Sequence, residues 1–347
     1  MGFWKDKRVF ITGHTGFKGG WLTQILINLG AIVKGYSLKP ESNESMHVLL
    51  NHKKKIESIE ADIRNKTKLI EEITNFKPDI VFHLAAQPLV IESYINPLET
   101  YETNVMGTGY LLEACRTLKN LKSIVIITTD KCYENKEWSY GYRETDNLGG
   151  YDPYSSSKGC CEILVNSYRN SFFNEPNSAG LATARAGNVI GGGDWAQNRI
   201  VPDIVRSIIQ NKEIVIRNPE AVRPWQHVLD PLHGYLNLAE KLFYNQKKYS
   251  GAWNFGPWYK DCKTVAELSN KMKQTWGFDR SIIMESPKFH EANFLKLDIS
   301  KANQHLNWEP KFSLQETIEL VCEWYKRYNS NSDMEKTTNL QIEKLLS

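Results

Sequence analysis

The sequence predicts an α/β protein built on a doubly wound parallel sheet, with a smaller, discontinuous C-terminal lobe against it. Over the first 130 residues, short apolar runs alternate with segments of helical periodicity, as strand–helix–strand units require. The strand runs are apolar and rich in β-forming residues, as a parallel, doubly wound sheet requires. Three glycines, Gly13, Gly16 and Gly19, stand where the first strand would pass into the first helix.

The first strand is Arg8-Val9-Phe10-Ile11-Thr12, an apolar run that ends in glycines. Residues 17–29 follow at helical spacing, with Trp21, Leu22, Ile25, Leu26 and Leu29 on one face. Gly30 ends that helix, and Ile32–Tyr36 resumes a strand. Further strands are expected near 56–60, 80–84 and 123–128, with helices near 65–75 and 98–119. Right-handed crossovers would place the C-terminal ends of these strands on one edge, where ligands bind. Past about residue 185 the pattern changes. Gly191-Gly192-Gly193 opens a loop-rich region with strands expected near 214–217 and 252–256, and helices near 199–210, 229–246, 264–275 and 313–328. The expected division is a cofactor-binding domain at 1–185, a mainly substrate-binding lobe at 186–330, free to return strands or helices to the first, and a tail at 331–347. The tail is polar and reads as a frayed end or a lone amphipathic helix.

With 347 residues, 41% hydrophobic and 24% charged, the chain has the composition of a folded protein with a sizeable core. A formal charge of +3, from 43 basic against 40 acidic residues, implies neither a nucleic-acid nor an anionic-membrane partner. Six cysteines show no CxxC pair, and no Cys/His spacing suits a metal, so no metal site is expected. The opening MGFWKDKRVF has no apolar signal core, and no run approaches the roughly 18 apolar residues of a spanning helix. A cytoplasmic protein with reduced thiols is the expectation.

Thr12-Gly13-His14-Thr15-Gly16-Phe17-Lys18-Gly19 is spaced GxxGxxG. At a strand–helix junction such glycines permit a tight turn and the close approach of a dinucleotide pyrophosphate to a helix N-terminus, as in a Rossmann-type sheet. Tyr154 and Lys158 are spaced YxxxK, so that on a helix they share a face. A lysine ammonium beside a phenol favours phenolate and makes the tyrosine a base. Thr129 lies at the end of the apolar strand 124–128, which would bring a hydroxyl, a phenol and a lysine together at the ligand edge.

The glycine motif, Thr129, Tyr154 and Lys158 resemble the extended short-chain dehydrogenase/reductase family in order and spacing, over roughly residues 6–328. Within it, TGHTGFKGGW (12–21), FHLAAQPLV (82–90), TDKCYEN (129–135), RAGNVIGGGDW (185–195) and RPWQHV (223–228) resemble the nucleotide-sugar 4,6-dehydratases. That resemblance implies NAD as a recycled cofactor, CDP-glucose as substrate, and a redox-neutral elimination of water that yields a 4-keto-6-deoxy sugar. It implies that Tyr154 takes the C4 hydroxyl proton, that Lys158 lowers the Tyr154 pKa and binds the nicotinamide ribose, and that Thr129 bonds the C4 oxygen. Asp130 is implied as the acid for the C6 hydroxyl. Lys131 stands where dTDP-glucose relatives carry glutamate, and is implied either as base for the C5 proton or as a structural partner of Asp130 or Glu134. Gly13, His14, Gly16, Phe17 and Gly19 would line the pyrophosphate, Asp62 and Ile63 the adenine, and Ala85, Ala86 and Gln87 the pyrophosphate and ribose, with Asn104 supporting the site. Gln87, Asn188, Arg199 and Arg223 would touch substrate. His227, Trp195 and Trp225 read as packing residues.

One position departs from the family. Where an acid usually binds the adenosine ribose stands Ser37, which brings no charge to repel a 2′-phosphate. His14 inside the turn is expected to crowd the pyrophosphate, so NAD is expected to be held loosely. The resemblance also implies a homodimer, with tetramers among relatives. Two rivals remain: a dehydratase or 4-epimerase for another nucleotide sugar, and a non-catalytic nucleotide-sugar-binding protein. An epimerase needs the Tyr/Lys pair but not Asp130-Lys131.

Overall fold

The structure is a computed structural model that describes residues 2–285 and 293–346. Seven parallel strands form the main sheet. They are β1 (Arg8–Thr12), β2 (Ile32–Ser37), β3 (Glu57–Glu60), β4 (Ile80–His83), β5 (Ser123–Ile127), β6 (Gly180–Ala186) and the strand Gly251–Phe255. Their spatial order is Gly251–Phe255, β6, β5, β4, β1, β2, β3. The chain winds outward from β1 to β3, returns to β4 on the other side of β1, and winds outward again. This reversal opens a crevice at the carboxyl ends of β1 and β4, the place where such sheets bind ligands. The register sets Thr12 beside both Tyr36 and His83 there.

Both faces of the sheet are covered at its centre, which explains the apolar runs of β1, β4 and β5. In β1, Val9 and Ile11 enter one core cluster with Trp21, Leu22 and Trp253, while Phe10 enters the other with Tyr36, Leu69 and Leu111. The helix α1 (Phe17–Asn28) buries Trp21, Leu22, Ile25 and Leu26 as its periodicity predicts. The helix expected near 98–119 is a succession of turns from Pro97 to Cys115 that includes a π-helical stretch, Glu102–Met106.

β6 was not expected as a strand. Its sequence GLATARA has three alanines and one β-branched residue, so it lacks the usual signature, yet every residue in it is buried. It also lies inside the sheet, and the strand Gly251–Phe255 pairs with it in parallel. The second half of the chain thus returns a strand to the main sheet. Among the described residues three small pairs stand apart: Ile214–Arg217 with Ile282–Glu285, Val222–Pro224 with Cys262–Thr264, and Val189–Ile190 with Gln226–His227. The terminal segment is neither frayed nor a lone helix. Met334–Leu346 is helical, with Met334, Ile342 and Leu345 buried. Trp324 Nε1 donates to Thr338 Oγ1 at 3.1 Å and Gln341 Nε2 to the Leu320 carbonyl at 2.9 Å. Among the described residues no helix is long and apolar enough to cross a membrane.

Four histidines, His14, His52, His83 and His227, are wholly buried, and burial lowers each pKa to about 3. The unfolded chain binds protons at these positions below about pH 6.5, whereas the folded chain refuses them until about pH 3. Their contribution to stability is therefore complete above pH 6.5 and is lost as pH falls from there. Asp230, raised to about 7 by burial, works in the opposite sense. The thermal unfolding midpoint is expected to drop steeply from pH 6 to 4, as each histidine removes up to about 1.4 kcal/mol of stability per pH unit. A midpoint flat across that range would contradict this.

Candidate active site

The glycine turn lies at the crevice. Gly13 has φ +77°, and a Cβ there would come within 2.6 Å of the Ala85 nitrogen. A Cβ at Gly19 would come within 2.0 Å of the Gly13 carbonyl oxygen. These two glycines let the turn, the loop after β4 and the first turn of α1 pack backbone to backbone. Gly16 differs: it is exposed, and nothing nearer than 3.5 Å would meet its Cβ. Packing within the chain does not require a glycine there, whereas a ligand lying over the turn would. Gly16 is the N-cap of α1 and gives no side-chain cap, and the first turn has no acidic residue. Its free N–H groups and positive dipole end suit a pyrophosphate. Phe17 begins this helix.

His14 does not crowd that cradle. Its ring is buried and turned away, over β2, where a Cβ on Gly35 would lie 2.3 Å from the imidazole. Its Nε2 sits 2.7 Å from Ser58 Oγ on the far side. The expectation of crowding therefore fails, because the missing side chain at Gly35 makes room for the ring. Ser37 Oγ lies 2.8 Å from Thr15 Oγ1, which also donates to the Leu38 carbonyl at 3.0 Å. A pair of hydroxyls stands where an acid was looked for. Asp62 is already gripped by Arg64, whose Nη2 donates at 2.6 Å, and this bond lowers the Asp62 pKa. The Ile63 side chain is buried in the core.

Ala85 N donates to Thr12 Oγ1 at 3.2 Å, beside the glycine turn. Ala86 and Gln87 follow in the same loop. The Gln87 side chain ties that loop to the turn Pro97–Tyr101: Nε2 donates to Thr100 Oγ1 at 2.9 Å, and Oε1 accepts from Leu89 N at 2.5 Å. Asn104, grouped with the cofactor residues as a support for the site, is placed as a brace. Its Oδ1 accepts from Gln87 N at 2.8 Å, and its Nδ2 donates to the Gln87 carbonyl at 3.1 Å and to Ser157 Oγ at 2.9 Å. It ties the loop after β4 to the helix that carries Tyr154. It does so from the π-helical stretch, an irregularity common at functional sites.

That helix, Pro153–Phe172, starts sharply. Pro153 occupies its first turn, and Asp152 caps it by accepting from Ser155 N at 2.9 Å. Tyr154 and Lys158 then lie one turn apart on one face. Opposite them, Thr129 opens a short 3₁₀ turn, Asp130–Cys132. Thr129 Oγ1 donates to Asp130 Oδ1 at 3.0 Å. Asp130 Oδ2 is buried with no hydrogen-bond partner. Burial raises the Asp130 pKa, against the opposing pull of Lys131, the Thr129 hydroxyl, Arg223 and Lys18. Burial likewise pushes the Tyr154 phenol up, opposed by a hydrogen bond with Thr129 and by Arg199. The expected lowering by Lys158 is not what governs this phenol. Lys158 Nζ donates to the Ile127 carbonyl at 3.3 Å, and burial lowers its own pKa.

The loop Gly187–Asn188 and the strand Val222–Pro224 close over Asp130: a Cβ on Gly187 would meet Asp130 Oδ2 at 3.0 Å and Pro224 Cγ at 2.5 Å. Arg223 is buried and donates to the Val222 carbonyl at 3.0 Å. Arg199 donates to Asp194 Oδ2 at 3.0 Å and faces Tyr154. His227 packs edge-on against Trp21 and Phe312, Trp195 against Tyr325, and Trp225 donates to the Lys263 carbonyl at 2.9 Å.

Lys18 escaped the sequence reading because it lies within the glycine motif. From the first turn of α1 it reaches the neighbourhood of Asp130, Lys158 and Arg199, and burial lowers its pKa to about 8. A lysine in the first turn of α1, where the positive dipole end disfavours a cation, was the signal available. The site thus combines an anion cradle, a buried protonatable carboxyl, a phenol, a hydroxyl and several cations, a set able to move protons on a polyol.

The family described as GDP-mannose 4,6 dehydratase matches residues 10–321. The chain belongs to this family. Among 4,6-dehydratase relatives, the CDP-glucose 4,6-dehydratase of Salmonella typhimurium is 52% identical over 337 residues, covering 96% of this chain and 94% of that one. The CDP-paratose 2-epimerase of Salmonella typhi is 26% identical and covers 91% of this chain and 98% of that one. Two solved structures share the fold. The UDP-glucose 4-epimerase of Thermotoga maritima, with UDP-glucose, has a TM-score of 0.81 at 23% identity, covering 92% of this chain and 99% of that one. The dTDP-glucose 4,6-dehydratase of Bacillus anthracis, in complex with NAD, has a TM-score of 0.80 at 18% identity, covering 95% of this chain and 99% of that one.

Proposed function

We propose that this protein is an NAD-dependent CDP-glucose 4,6-dehydratase, a hydro-lyase that converts CDP-glucose to CDP-4-keto-6-deoxyglucose and water. One observation carries the dehydration: a buried carboxyl, Asp130, whose pKa burial raises, placed beside Thr129 and Tyr154. A 4-epimerase has no use for such an acid. The 52% identity to a CDP-glucose enzyme over 96% of the chain supports the nucleotide.

The cradle fits a dinucleotide, with Gly13, Gly16, Phe17 and Gly19 at the pyrophosphate, Ser37 and Thr15 at the adenosine ribose, Asp62 and Ile63 at the adenine, and Ala85 and Ala86 alongside. NAD bound there supplies the acceptor for the C4 hydrogen and its return to C6. Tyr154 takes the C4 hydroxyl proton, with Thr129 holding that oxygen. Lys158 holds the nicotinamide ribose and contributes positive charge. Once C4 is a ketone, the C5 proton is acidic; Lys131, as the free amine, takes it and returns it to C5 when the hydride is delivered to C6. Asp130 gives its proton to the C6 hydroxyl, which leaves as water. Asn188, Arg199 and Arg223 hold the sugar nucleotide, the arginine forks being suited to its diphosphate. We read the active unit as a homodimer. Exposed apolar residues on the Pro97–Cys115 turns and on Pro153–Phe172, namely Leu98 at 77% exposure, Met106, Ile163 at 60% and Phe172, offer the surface for it.

The test is a panel of CDP-, dTDP-, UDP- and GDP-glucose with NAD, scored by the keto-sugar chromophore in alkali. CDP-glucose is expected to lead in kcat/KM by at least about tenfold, or ~1.4 kcal/mol of transition-state binding. A lead by another nucleotide, or no keto sugar at all, overturns the assignment.

A further inference from the structure

The two halves of the reacting set come from different elements. Thr129, Asp130 and Lys131 follow β5, whereas Tyr154 and Lys158 belong to the helix Pro153–Phe172. Their mutual placement must be fixed by something between them. Glu162 lies one turn beyond Lys158 on the same helix face. It is 3% exposed, and its Oε1 accepts from Thr128 Oγ1 at 2.5 Å, the residue immediately before Thr129. Its Oε2 accepts from Thr183 Oγ1 and from Arg185 Nη2, both at 2.7 Å on β6. Arg185 then reaches past the reacting loop to its other end: Nη1 donates to Tyr133 OH at 2.7 Å, and Tyr133 OH donates to Asn254 Oδ1 at 2.7 Å. Burial acts to raise the Glu162 pKa, but Arg185 and the two hydroxyls outweigh it and hold the carboxyl ionised.

Stability alone does not account for this arrangement, since a buried ion pair is commonly matched or bettered by apolar residues of the same volume. What apolar residues would not supply is directed bonds to both ends of the segment Thr128–Tyr133. We propose that Glu162, with Arg185, is a positioning device: through Thr128 and Tyr133 it sets Thr129, Asp130 and Lys131 against Tyr154 and Lys158. The device rests on the dehydratase reading given above, and acts on geometry without touching substrate.

Glu162→Gln leaves Arg185 buried without a counter-ion and can simply fail to fold, so the test uses Thr128→Val. That substitution keeps the shape and removes the one hydroxyl joining the carboxylate to the reacting loop. Thr338→Val is the comparison, a buried hydroxyl on the C-terminal helix that accepts from Trp324. Both are expected to lower the unfolding midpoint by similar amounts. Thr128→Val is expected to lower kcat for CDP-glucose roughly tenfold, with KM changed less than about threefold, because sub-ångström misplacement is costly at a reacting centre. Thr128→Ser restores the donor and is expected to restore kcat, while Thr338→Val keeps it. Equal kcat in Thr128→Val and wild type, or a loss that Thr128→Ser does not recover, overturns the proposal. Wild type inactive on CDP-glucose would instead refute the functional reading.

Discussion

Tyr154→Phe is expected to lower turnover by at least about 10²-fold, and up to about 10⁴-fold, the range for a missing general base. The substitution removes the phenolic oxygen and leaves the ring. Tyr154 is 9% exposed, so its packing against the start of the helix persists and the fold is expected to be unchanged. Sugar-nucleotide and NAD affinities, measured by calorimetric titration, are expected to stay within a few-fold of wild type. The pH dependence sharpens the test. Burial and the nearby Asp130 hold the phenol in its protonated form, with the Thr129 bond and Arg199 as the opposing influences. A base must be deprotonated, so the first step is expected to quicken as pH rises through the phenol's titration. Thr129→Ala, which removes the hydrogen bond that opposes the rise of the phenol's pKa, is expected to move that limb to higher pH. Near-normal turnover in Tyr154→Phe would discard the mechanism.

The fold was legible where local pattern and tertiary role agree. β1, α1, β2 and β4 combine continuous apolar runs with one helical stripe, and both faces of β1 are indeed buried. β6 was hidden because GLATARA meets its neighbours with small side chains, and nothing in its composition marks a strand. The C-terminal helix was only half legible. Its apolar residues repeat weakly, and what fixes it are hydrogen bonds to Trp324 and Leu320, which no pattern within residues 334–346 encodes. At the site, Thr129, Tyr154 and Lys158 were legible from their spacing because one turn of helix and one strand end bring them together. His14 was misjudged for the opposite reason. Its ring position depends on Gly35, twenty-one residues away and on the next strand. Gln87 and Asn104 were placed in the right region, but no local pattern encodes their bonds to Thr100, Leu89 and Ser157, since a polar side chain near a site can satisfy the protein itself instead of a ligand. Glu162 lies in no motif and Arg185 only opens the stretch 185–195, and their pairing appears only when β6 lies beside β5.

Asp130→Asn and Lys131→Met are expected to part the elimination from the oxidation that precedes it. Asn keeps the size of Asp130 and can still accept from Thr129 Oγ1, but has no proton to give. In either variant Tyr154 and Thr129 are intact, so C4 oxidation is expected and the reduced-nicotinamide absorbance should build up and persist after CDP-glucose is added. Overall keto-deoxysugar formation is expected to fall by roughly 10²–10⁴-fold. Deuterated water then separates the two residues. If Lys131 takes the C5 proton, Asp130→Asn still exchanges deuterium into C5, and Lys131→Met does not. The wild-type pH profile adds a sign. Because burial raises the Asp130 pKa, the carboxyl holds its proton further into the working range than an exposed one would, and dehydration is lost as pH rises through that titration. Asp130→Asn should abolish this alkaline limb along with most of the rate. C5 exchange undiminished in Lys131→Met, with full turnover and no absorbance build-up, would make Lys131 a structural neighbour of Asp130 and require a different base.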